Sequence, residues 1–187
     1  MGILKTIDDA EDLPVSVEEA RTQCHLFDDT THDALLTRYI RAASVEAENY
    51  TRSIFVERTQ ELVLEGFPGG AIEIPVYPLQ AVASIKYDSP TADDVTLATS
   101  SYRVQPEGME PCIVAIGGWP TTKQDASNTV RIRLTTGYAT VSDIPEPIRQ
   151  AILMRVYEMF ENPGSMAAIA REHNSVYAAM LDTQRRY

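Results

Sequence analysis

Apolar residues recur at Leu36, Ile40, Ala43, Ala47, Tyr50 and Ile54, in alternating steps of four and three. That spacing puts all six on one face of a helix. It predicts a central helix near residues 31–53, with Thr30 and Asp33 as its capping start. A shorter amphipathic run, Val17, Ala20 and Cys24, follows an S-x-x-E capping box at Ser16 and Glu19 and predicts a first helix near 16–26. Helical period returns after Pro145 and Pro147, with one stripe of Ile148, Ile152, Val156 and Met159 and a second of Leu153, Tyr157 and Phe160. Two stripes predict a helix near 145–161 that is covered on more than one side. A weaker pattern through Val176, Tyr177, Met180 and Leu181 predicts a last helix near 174–183.

Between the second and third of these helices the period changes to two. Leu62 and Leu64 alternate with charged neighbours, and Val130, Ile132 and Leu134 alternate with Arg131 and Arg133. Turn clusters such as Gly66-Phe67-Pro68-Gly69-Gly70 and Gly117-Gly118-Trp119-Pro120 separate short apolar runs. Six or seven antiparallel strands are predicted over 57–140, arranged as a sandwich or open barrel. The fold class is therefore α+β, a small helical bundle with an antiparallel β module inserted between the second and third helices. Its divisions are an acidic N-terminal arm (1–13), a helical core with C-terminal segment (14–56 plus 141–187) and the β module (57–140).

The chain is 44% hydrophobic, enough for a packed core and too much for wholesale disorder. No apolar run reaches the roughly 20 residues that span a bilayer, and the first residues lack the blocks of a signal peptide. Synthesis in the cytoplasm and no membrane association are the expectation. The formal net charge is −11, and residues 1–30 carry eight acidic against two basic side chains. Such a chain is poorly built to grip phosphates; its acidity reads either as a surface past which DNA slides or, the better reading from charge alone, as charge that simply keeps the protein soluble. The last 26 residues carry three basic and two acidic side chains and end Gln184-Arg185-Arg186-Tyr187.

Candidate chemistry is sparse. Phosphate-loop, dinucleotide and nucleophile-elbow motifs are absent from the sequence. Cys24 and Cys112 have no metal spacing. Cys24 and His25 are sequence neighbours, on different faces of a helix. Asp93-Asp94 reads either as a metal-binding pair or as a solvated loop. The Trp119 loop reads either as a ligand loop or as a hairpin with a buried anchor, and Arg131 with Arg133 as a solvated sheet face or a site for an acidic partner or a phosphate. No catalytic residue, metal site or cofactor is assigned, and an enzyme is not expected.

The order of segments resembles the head–tail connector (adaptor) proteins of long-tailed double-stranded DNA bacteriophages. The matching pieces include Leu13-Pro14-Val15-Ser16-Val17-Glu18-Glu19-Ala20 and Asp33-Ala34-Leu35-Leu36 through Glu48-Asn49-Tyr50-Thr51. Gly66-Phe67-Pro68, Pro78-Leu79-Gln80-Ala81-Val82 and Ile144-Pro145-Glu146-Pro147-Ile148 follow in the same order, and Ala178-Ala179-Met180-Leu181-Asp182 with Arg185-Arg186-Tyr187 closes the set. Thr183-Gln184 depart from that family's Pro-aromatic pair, and the residues before Leu13 lie outside the resemblance.

The resemblance implies a structural virion protein at the capsid–tail junction, assembled in the host cytoplasm. It implies a ring, usually dodecameric, beneath the portal protein, which extends the DNA channel and docks a tail-side connector or tail terminator protein. DNA passes through the lumen without specific binding. The portal-contacting role falls on Met180, Leu181, Arg185, Arg186 and Tyr187. The alternative is a cytosolic ligand- or peptide-binding module that uses the β insert.

Overall fold

The computed structural model describes residues 2–8, 12–106, 111–124, 126–162 and 175–185. It is mixed α+β and divides into two compact units, one of residues 1–10 with 57–137 and the other of residues 11–56 with 138–187.

The helical unit contains α1 (Val17–Gln23), α2 (Asp33–Thr51), α3 (Glu146–Glu161) and α4 (Ser175–Asp182). The capping box forms as the sequence predicts: the Glu19 amide donates to Ser16 Oγ at 3.1 Å and the Ser16 amide donates to Glu19 Oε2 at 2.7 Å. In α2, Leu36, Ile40, Ala43 and Ala47 have no exposed surface. Burying each of the two larger side chains contributes about 1.5–3 kcal/mol.

The ends of α2 differ from expectation. His32, not Thr30, is the N-cap, and its side chain makes no capping bond. The Thr31 amide donates to Asp29 Oδ1 at 2.9 Å instead, which fixes the chain just before the helix. At the other end Arg52 turns left-handed, with φ 56°. The buried Glu48 carboxylate then accepts from the Phe55 amide at 2.8 Å. Ile54 is thereby off the helix, although its spacing had placed it on the α2 face.

Helix α3 carries Pro147 in its first turn, where a missing N–H costs no helical bond. Ile148, Ala151, Ile152 and Val156 are fully buried, while Leu153, Tyr157 and Phe160 are half-exposed. Only the first of the two stripes is covered within the described chain.

The β unit holds two antiparallel sheets among the described residues. The larger has the order β1-β2-β8-β4-β5, from Ile3–Asp8, Arg58–Leu64, Val130–Thr136, Leu79–Tyr87 and Val95–Thr96 respectively. The smaller has the order β3-β7-β6, from Ile72–Glu73, Cys112–Ala115 and Tyr102–Gln105. Strands β2 and β8 run in unbroken register from Arg58↔Thr136 to Leu64↔Val130. Leu62, Val130, Ile132 and Leu134 are buried along it, as the alternation predicts for β8.

Within the segment predicted as an N-terminal arm, residues 3–8 form an extended edge strand, paired from Ile3↔Val63 to Asp8↔Thr59. The pairing is satisfied by backbone groups and by a half-buried Leu4 opposite Leu62, so acidity in the segment does not oppose it.

Candidate functional site

The C-terminal helix is the element to which the sequence assigns partner contact. Tyr177 and Leu181, four residues apart, point into the helical unit and are 4% and 0% exposed. Val176 and Met180 lie on the other side, exposed and half-buried respectively. Leu181, to which the resemblance gives a portal-contacting role, is sealed inside its own unit in this chain. Arg185 is exposed, with its guanidinium 5.0 Å from the centre of the Tyr50 ring. Arg186 and Tyr187 lie outside the described residues.

A polar bond ties α4 to α2, and a buried cluster beneath it ties α2 to α3. Tyr50 on α2 donates its hydroxyl to Asp182 Oδ1 at 2.7 Å. That bond, with the Asp182 charge, raises the Tyr50 pKa above its ordinary value. Deeper in the unit, Arg155 is only 9% exposed. Its Nε donates to Glu46 Oε2 at 2.9 Å and its Nη1 to Glu158 Oε2 at 3.2 Å. The Tyr177 hydroxyl is buried without a hydrogen-bond partner among the described residues. Burial, and then the Glu46 charge, push its pKa up. The hydroxyl therefore stays neutral at any ordinary pH.

Sequence reasoning missed the Tyr50–Asp182 bond and the Arg155 cluster. A basic residue at position 155 inside an apolar stripe was the available signal, since a buried arginine needs carboxylates.

A cavity of about 600 Å³ opens between α1 and α3, lined by Glu18, Glu19, Thr22, His25, Leu153 and Tyr157 among others. It accounts for the half-exposed Leu153 and Tyr157 of the second α3 stripe. The His25 ring meets the Tyr157 ring edge-on, with centroids 6.3 Å apart. Arg149 pairs with Glu19 at its side. Burial opposes ionisation of Glu19, but the Ser16 hydrogen bonds and the Arg149 charge outweigh it and hold its pKa low. Cys24 is buried, and desolvation, with Glu161 nearby, pushes its thiol up to about 11. A thiol in that state is not a nucleophile at neutral pH.

In the β unit, the acidic pair resolves into ion pairs. Asp93 meets Lys123 at 3.2 Å, and Asp94 meets Lys86 at 2.7 Å and Arg131 at 3.2 Å. No group of three or more His, Cys, Asp or Glu side chains able to hold a metal forms among the described residues. Arg131 is not on a merely solvated face. It grips Asp88 with two nitrogens, at 2.7 and 3.2 Å, and holds that carboxyl down to about 2. Arg133 stays exposed, 4.0 Å from Glu61. The Trp119 indole donates to the Gly70 carbonyl at 2.7 Å and stacks on Phe67 with centroids 4.8 Å apart and planes 4° apart. Trp119 thus ties its own turn to the turn at 66–70, with its N–H and one ring face already occupied.

No helix among the described residues is long and apolar enough to cross a membrane. Residues 14–92 match the model of the phage gp6-like head-tail connector protein family. The resemblance drawn from the sequence is thereby borne out over that stretch. No curated protein matches. Solved structures share the fold, among them three from gene transfer agent particles. A chain in the neck of an empty gene transfer agent particle, computed with C6 symmetry, is 23% identical. The alignment covers 99% of this chain and 96% of that one, with a TM-score of 0.84. A chain in the virion of the native particle is 22% identical over the same shares, with a TM-score of 0.82. A chain in the native neck, computed with C12 symmetry, is 21% identical over the same shares, with a TM-score of 0.77.

Proposed function

We propose that this chain is a structural virion protein, a head–tail connector that assembles as a ring at the junction of capsid and tail. The observation that carries this is the coincidence of two likenesses. The connector-family match runs through α1, α2 and strands β2 to β4. The fold of nearly the whole chain is that of subunits in particle necks.

Neck reconstructions with C6 and C12 symmetry fit a dodecamer, since a twelvefold ring also obeys sixfold symmetry. An acidic chain of net charge −11 lets DNA pass along the lumen without specific binding. The α4 segment meets the portal protein through Met180, Arg185, Arg186 and Tyr187, with Leu181 and Tyr177 seating it. A tail-side connector or tail terminator protein docks on the opposite side of the ring. Assembly takes place in the host cytoplasm and the chain ends in the virion. Its role is structural, with no catalysis.

The reading as a ligand-binding module is not favoured, because the Trp119 loop spends its indole on Gly70 and Phe67. Electron microscopy of the chain mixed with the portal protein of its own genome tests the proposal. Rings stacked on portal are expected. Deleting residues 185–187, beyond the Tyr50–Asp182 bond, weakens that association and leaves the fold intact. Full portal affinity after the deletion would overturn the tail assignment.

A further inference from the structure

The outward face of α2 is left bare by the helical unit. Ala34, Arg38, Arg41, Ala42, Val45 and Asn49 are all exposed, in steps of four, three, one, three and four, which is one continuous face. Val45, 56% exposed, sits in its middle. The three carboxylates of α2 are all engaged elsewhere: Asp33 with Arg21, Glu46 with Arg155, and Glu48 with the Phe55 amide. Among the described residues, Arg38 and Arg41 take part in no ion pair. In a chain of net charge −11, α2 thus presents a face with two arginines, an apolar centre and no acid.

The corner between α1 and α2 has the opposite character. Phe27 is 64% exposed, more than any other large apolar side chain described. Asp28 and Asp29 follow it and are exposed as well. His25 and Phe27 both sit at positive φ, 58° and 45°, a conformation that non-glycine residues avoid. The corner is nonetheless fixed: Arg21 Nη1 donates to the Phe27 carbonyl at 3.2 Å, and the Leu26 and Asp29 amides donate to the Arg21 and Leu26 carbonyls at 2.9 Å. An aromatic ring with two carboxylates beside it is therefore held out to solvent.

We propose that these surfaces meet between copies of this chain. Phe27 of one copy packs on Ala42 and Val45 of the next, and Asp28 and Asp29 pair with Arg38 and Arg41. The proposal rests on the ring reading above and supplies its subunit contact. A contact between two different patches of one chain is head-to-tail, and its repetition closes a ring. One copy cannot satisfy itself, because Val45 lies about 18 Å along α2 from its first residue. Duplex DNA is the poorer occupant, since the exposed Val45 beside Ala42 offers a phosphate backbone nothing.

The test measures ring assembly of the full chain with its portal protein, by sedimentation and electron microscopy, with circular dichroism as the folding control. R38E/R41E and, separately, V45R are expected to raise the concentration needed for rings at least tenfold. The fourfold variant D28R/D29R/R38E/R41E is expected to bring it back to within threefold of the wild type. Undiminished rings from R38E/R41E and V45R overturn this contact and leave the ring reading standing. So does a fourfold variant that fails to recover. Normal rings that have lost DNA affinity overturn the contact and give the face to the DNA channel. A wild-type chain that makes no ring overturns both readings.

Discussion

Tyr50 and Asp182 are 132 positions apart, yet the hydroxyl of one donates to the carboxylate of the other at 2.7 Å. The bond links the end of the central helix to the end of the C-terminal helix, beside the residues assigned to portal contact. Tyr50→Phe removes it without changing the ring that Arg185 covers. Hydrogen exchange in α4 is expected to quicken while that of α2 and α3 stays unchanged. The same bond sets a pH limit. It requires the neutral phenol, so the Tyr50 pKa is raised in the folded state. Its contribution is present below the unfolded value, about 10, and is lost as pH rises through the folded one.

Arg155 joins α2 to α3 from inside the core, through Glu46 and Glu158. Arg155→Met removes one partner of a largely buried cluster. Glu46 remains 36% exposed and keeps some hydration, so the loss is expected to fall below the full penalty for a stranded charge, at about 2 kcal/mol. Urea denaturation followed by helical circular dichroism measures it. Glu46→Gln is expected to cost less, because Glu158 still pairs with the guanidinium.

In the β unit, the Arg131 fork and the Asp94 amide hold Asp88 ionised down to about 2. A depressed carboxyl contributes stability above its unfolded pKa, near 3.9, and loses it as pH falls through the folded value. The denaturation midpoint of the β unit is therefore expected to drop between about pH 4 and pH 2. Asp88→Asn lowers the midpoint at pH 7 and flattens its slope in that window. An unchanged slope would show that the pairing contributes nothing.

The two cysteines differ in reactivity. Cys24 is 5% exposed with its thiol pushed up to about 11, while Cys112 is half-exposed and donates to Gln105 Oε1 at 3.3 Å. A thiol reagent at pH 8 is expected to label Cys112 in the native protein and both in denaturant. Equal native labelling would contradict the buried position of Cys24.

What local chemistry determines was legible in the sequence. The Ser16–Glu19 box needs only neighbours, and Leu36, Ile40, Ala43 and Ala47 needed only a period. What depends on distant partners was not. Nothing near Arg52 announces a left-handed turn, so Ile54 was carried on to the helix; the Glu48 carboxylate that fixes the exit is itself internal. The first residues looked like an arm because a six-residue edge strand draws its order from β2, some fifty residues away. Arg131 looked solvated because Asp88, 43 positions before it, is brought alongside by the pairing of β4 with β8 and not by any local pattern. The candidate contact segment was placed correctly as a helix. Which of its faces is free was not readable, since Tyr177 and Leu181 turn inward to a surface that α2 and α3 create together.

The most direct test of the account is the stoichiometry of this chain on its own portal protein, measured by electron microscopy of the mixed complex with symmetry left free. The account predicts a closed ring of twelve copies beneath the portal, with α4 at the contact. A chain that remains monomeric and unbound in the presence of assembled portal would contradict it.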